Sequence, residues 1–189
     1  MRTLLACLLT LALAGCSTIS QGIGGGDFSL DALAEVIDAP RGDDGEVTRD
    51  GRLLVQTGAL LAIAEVASAR ALDRPSRDLL ADRLERAGGI ILQAADGDGY
   101  FIEADLAEAA ATAKAILGEA ATERLFSVLS GGVSITGAFE LGRDYALAGY
   151  TLDGIRRLSL LYQSGELSEE EVRSILQERY LAALERLRS

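Results

Sequence analysis

Residues 53–69 read LLVQTGALLAIAEVASA, and only Gln56, Thr57, Glu65 and Ser68 among them are polar. No strand-like alternation of polar and apolar residues runs through this stretch. A helix that is apolar nearly all round belongs at the centre of a bundle, where every side meets another element. The helix is expected over residues 51–72. Its short length and Glu65 argue against a membrane span, which needs about 20 predominantly apolar residues. The expected fold is therefore all-α, a single-domain bundle of about five to seven helices packed around this one.

Downstream, Pro75 and Ser76 suit the first turn of a new helix. Leu80, Leu84, Ala87 and Ile91 recur at helical spacing, and Asp82 and Arg86 form an i,i+4 pair on its outer side. Gly88-Gly89 should weaken or kink it. The alanine-rich residues 103–117 form a further helix, with Gly118 as a break, and residues 122–129 form another, closed by Gly131-Gly132. Residues 133–150 read as a helix in which Gly137, Gly142 and Gly149 permit close approach, with a strand at 133–136 as the alternative.

The last two helices have the clearest pattern. Leu152, Ile155, Leu158 and Tyr162 make one stripe, which Ser164-Gly165 ends. Ser168 and Glu171 have the spacing of a capping box. Val172, Ile175, Leu176, Tyr180, Ala183, Leu184 and Leu187 continue as a helical face, and the short connection predicts antiparallel neighbours. Upstream of the central stretch, Ser29 is positioned to cap a short helix carrying Leu30, Leu33, Val36 and Ile37. Pro40 ends it, and residues 41–50 form a polar loop.

Composition narrows the chemistry. The net charge is −11, which opposes nucleic acid and anionic lipid surfaces as partners. The chain has no histidine. Ser-His-Asp and Cys-His catalysis and the usual Cys/His zinc sites are thereby excluded. Its two cysteines, Cys7 and Cys16, both lie near the N-terminus.

The N-terminal residues 1–15 have the order of a secretory signal: Arg2, then an apolar run from Leu4 to Ala14, then small residues. Leu13-Ala14-Gly15-Cys16 resembles the lipobox of bacterial lipoproteins at all four positions. The resemblance implies cleavage before Cys16, diacylation of its thiol and acylation of the new amine. It also implies an outer-membrane destination facing the periplasm, since Ser17 stands where an aspartate would signal retention in the inner membrane. An ordinary secretory signal with a chance cysteine is the alternative. Residues 16–28 would then be the lipidated cysteine and a Ser/Gly-rich tether, and residues 29–189 the helical domain, with a C-terminal hairpin at 152–188.

Three constellations could carry more than structure. Residues 94–105 resemble a degenerate EF-hand calcium loop. Gly99 takes its sharp-turn position, and Asp96, Asp98, the Tyr100 carbonyl and Asp105 take ligand positions for Ca²⁺. Ala94 replaces a carboxylate and Asp105 is shorter than the usual glutamate. A plain polar turn between helices is the alternative. Glu140, in a mixed apolar and glycine setting, is the one acid nominated for cell-wall glycan cleavage, although the Glu-Ser start of lytic transglycosylases is absent.

Finally, residues 155–184 resemble the short bacterial module called SHOCT through Leu158, Leu161, Gly165, Leu167, Ser168 and Glu170-Glu171. Val172 and Arg173 stand where that module has Phe and Lys. This resemblance implies an oligomerisation hairpin rather than an activity; a generic helical hairpin is the alternative. Together these readings predict a lipid-anchored structural or accessory factor of the cell envelope. It would be held to the membrane through acyl chains on Cys16 and would contact an envelope protein or a second copy. The alternatives are a calcium-responsive module and a carboxylate enzyme. The first and last helices are the expected contact surfaces.

Overall fold

Every residue from Leu53 to Ala64 is buried, and so are Val66 and Ala67. They belong to α2 (Arg49–Ser68), around which the other helices are arranged. The computed structural model describes residues 29–93 and 103–189. Within them lie eight α-helices: α1 (Leu30–Val36), α2, α3 (Arg74–Gln93), α4 (Glu103–Leu117), α5 (Glu119–Leu129), α6 (Ile135–Ala138), α7 (Arg143–Gln163) and α8 (Glu169–Arg188). The all-α bundle expected from the sequence is the fold found. The count is one above the expected five to seven, with α6 a single turn and α7 joining residues 143–150 to the stripe that begins at Leu152.

Helix α2 packs against α7, α8, α3, α4, α1 and α5. Leu54, Leu60, Leu61 and Ile63 are its deepest large side chains, each worth about 2 kcal/mol in burial. Two polar groups oppose that gain: Gln56 Oε1 and Thr57 Oγ1 are buried without a hydrogen-bond partner. None of the helices among the described residues is long and apolar enough to cross a membrane. Glu65, at the edge of the core, pairs with Arg186 of α8.

Capping chemistry places most helix starts. The Ser29 hydroxyl accepts from the Asp31 amide at 3.2 Å, and Thr48 Oγ1 accepts from Gly51 at 3.1 Å. Asp73, ahead of Pro75, accepts from the Ser76 amide at 2.8 Å. That bond holds the Asp73 carboxyl below its ordinary range. At α8 both halves of the capping box form: Ser168 N–H donates to Glu171 Oε2 at 2.8 Å, and Glu171 N–H donates to Ser168 Oγ at 3.3 Å.

The connection from α1 to α2 is gripped by α7. Asp38 takes a left-handed backbone (φ 50°). Its carbonyl accepts from Ser159 Oγ at 2.5 Å and from Gln163 Nε2 at 2.8 Å, and its carboxylate meets Arg156 at 2.6 Å.

Three expectations are corrected. Residues 133–150 are neither one helix nor a strand: α6 runs into a 3₁₀ turn (Phe139–Leu141), and Gly142 at φ 114° breaks the chain before α7. Asp82 turns to Arg188 of α8 at 3.0 Å rather than along its own helix. Helices α7 and α8 touch each other little, and each leans mainly on α2. The apolar face of α8 is spent in that packing, as are Leu33, Ala34 and Ile37 at the first helix. Leu181 of α8 lies outside that face and stays half exposed.

Candidate functional site

The candidate residues taken from the sequence scatter. Leu13 to Cys16 lie outside the described residues, as do Asp96, Asp98 and Tyr100, while the backbone of Asp105 falls in the first turn of α4. Among the described residues no group of acidic side chains is arranged to hold a metal ion. Glu140 sits in the 3₁₀ turn and is exposed, so it lacks the burial for which it was nominated.

Two surface features stand out instead. The first is an aromatic pair. Phe139 and Tyr150 place their ring centroids 4.6 Å apart at a 35° tilt, and they are 39% and 64% exposed. Gly149 permits the arrangement. A Cβ there would meet the Ile135 carbonyl at 3.0 Å, Ala138 Cβ at 3.1 Å and the Phe139 ring at 3.3 Å, so α6 and the 3₁₀ turn lie directly on α7. Two large rings held against each other in water are a rigid apolar projection with little conformational entropy to lose on contact. Glu140, next to Phe139 in the sequence, is exposed.

The second is a cleft of about 350 Å³ between the end of α2, the start of α5 and the start of α7. Arg70 and Tyr145 form one wall. Arg70 Nη2 donates to the Tyr145 hydroxyl at 3.0 Å and meets Asp144 at 3.3 Å, and the guanidinium stands 5.9 Å from the Tyr145 ring centroid. Tyr145 is only 3% exposed, and its hydroxyl reaches the Ala121 carbonyl at 3.4 Å. Arg124 and the residues from Leu117 to Ala121 complete the lining.

Sequence reasoning passed over both features. The cleft joins residues 70, 121 and 145, and no local spacing signals such a meeting. The aromatic pair had a signal: aromatics are 5% of this chain, and two of them flank the glycine-rich turn.

No protein-family model matches this chain, and no curated protein or solved structure does either.

Proposed function

We propose that this chain is a lipid-anchored periplasmic accessory or assembly factor that holds a partner protein of the cell envelope. The Leu13–Cys16 motif supports the anchor, and the Ser/Gly-rich residues that follow supply reach. The observation that carries the docking role is the exposed Phe139–Tyr150 pair. Aromatic anchors of this kind dominate protein interfaces, each worth about 2 kcal/mol or more when buried by a partner. The acidic surface directs the contact toward a neutral or basic protein face.

A photo-reactive amino acid at position 150 tests this in the native envelope. One heterologous adduct of fixed mass is expected, and it should disappear when Phe139→Ser is added. An adduct with a second copy alone would replace the accessory role with self-assembly. Correct processing and lipid attachment of a Cys16→Ser precursor would remove the anchor from the proposal.

A further inference from the structure

The cleft at the start of α5 gathers positive charge in a chain whose net charge is −11. Arg70 and Arg124 line it, and Lys114 stands at its edge through a 3.3 Å pair with Glu119. Of the carboxylates nearby, Glu119 meets Lys114 and Asp144 meets Arg70. Arg124 is exposed and makes no ion pair among the described residues. Arg70 Nε is buried and has no partner. The Arg70 side chain as a whole is 29% exposed, so an anion entering the cleft meets its open part rather than the enclosed Nε.

The rest of the lining is apolar. Leu117, Ala120, Ala121 and the Tyr145 ring present hydrocarbon beside the guanidinium groups. The volume lies at the small end of the range for ligand sites. Helix α5 begins at this wall with no side-chain cap, which adds partial positive charge to that of the arginines.

We propose that this cleft binds a small monoanion with an apolar body, an alkyl or aryl carboxylate, between Arg70 and Arg124. A planar carboxylate matches the fork of donors on a guanidinium. The apolar wall takes the hydrocarbon part. A dianion is disfavoured, because the whole molecule, at a net charge of −11, repels it more strongly than a monoanion.

The test is an amide-shift titration of the full-length, detergent-solubilised protein with butanoate, acetate and inorganic phosphate. Butanoate should give a saturable shift confined to Gly118–Ala121 and the Arg70 side chain. Acetate should bind about fifteenfold more weakly, since it lacks two methylene groups. Arg124→Ala should weaken butanoate about fivefold and leave the melting temperature unchanged, because Arg124 is exposed. Tyr145→Phe should weaken it less, by loosening Arg70. Absence of saturation, equal affinity for phosphate and butanoate, or an Arg124→Ala affinity equal to the parent's would each overturn the assignment.

Discussion

Tyr180 of α8 lies close enough to Gly88 of α3 that a Cβ at residue 88 would overlap its ring. The Tyr180 hydroxyl donates to the carbonyl of Leu84, one turn earlier on α3. Gly88 is thus the site where α8 reaches the backbone of α3, and α3 continues as a helix through Gly88 and Gly89.

Gly88→Ala sets two effects against each other. Alanine favours a helix over glycine by about 1 kcal/mol. Overpacking against a buried ring costs about 1–3 kcal/mol. Overpacking should win by about 1 kcal/mol, read as a lower urea midpoint at unchanged slope. In a Tyr180→Ala background the ring is gone, so the same substitution should become neutral or stabilising. Loss of stability in both backgrounds would show that the ring is not the cause.

Alkaline pH should weaken the fold through two phenols. The hydrogen bond to Asp50, then burial, push the Tyr162 hydroxyl up to about 12 from an ordinary 10.0. Burial, chiefly, raises Tyr180 further, with Glu85 adding to it. A raised folded value means the neutral phenol is favoured by folding. The Tyr162 contribution is therefore complete below pH 10 and declines as pH rises toward 12. Thermal melts of the parent and Tyr162→Phe should differ by a constant up to about pH 10 and converge above it. A gap that widens above pH 10 would contradict the assignment.

At the acid end the sign reverses. The Ser168 amide, then its hydroxyl, hold the Glu171 carboxyl below its ordinary 4.5. Its contribution is present above that value and fades as pH falls through the folded one. Glu171→Gln should therefore be less stable than the parent at neutral pH, with the difference shrinking on acidification. Melting curves between pH 7 and about pH 3 would show it.

Gly142→Ala should destabilise the domain by about 1–2 kcal/mol, since φ 114° is hostile to a Cβ. Gly118 and Gly165, also at positive φ, should behave alike. Denaturant unfolding distinguishes this from an indifferent loop position.

A peptide of residues 152–189 should be largely unfolded in isolation. Its buried residues, among them Leu152, Ile155, Leu176 and Leu184, face α2 and α3 more than each other. Circular dichroism would decide. A stably helical peptide would support a self-sufficient hairpin module of the kind the SHOCT resemblance implies.

What the sequence revealed follows from the range of the forces involved. The central helix was legible because residues 53–69 have no polar face to expose. The α8 start was legible because Ser168 and Glu171 complete each other within four residues. Glu103–Leu117 was legible from alanine alone. The break at Gly142 was not, because three glycines with different duties look alike. Gly142 takes a positive φ, Gly149 admits the Ile135 carbonyl, and Gly137 donates its amide to Ser134 Oγ at 2.9 Å. Asp82 pairing with Arg188 rather than Arg86 depends on contacts across 106 residues, and so does the Arg70 cleft on contacts across 75. Patterns of a few residues do not encode these.

The central place of α2 also has a consequence in time. Helix α2 ends at Ser68, and α7, its most extensive neighbour, begins at Arg143. A chain emerging from its N-terminus therefore presents the apolar surface of α2 long before α7 and α8, which cover much of it, exist. During synthesis that surface must be shielded by another molecule or be left to stick. A destabilised α8 variant should accordingly show its defect first as lost yield rather than as a lowered melting point.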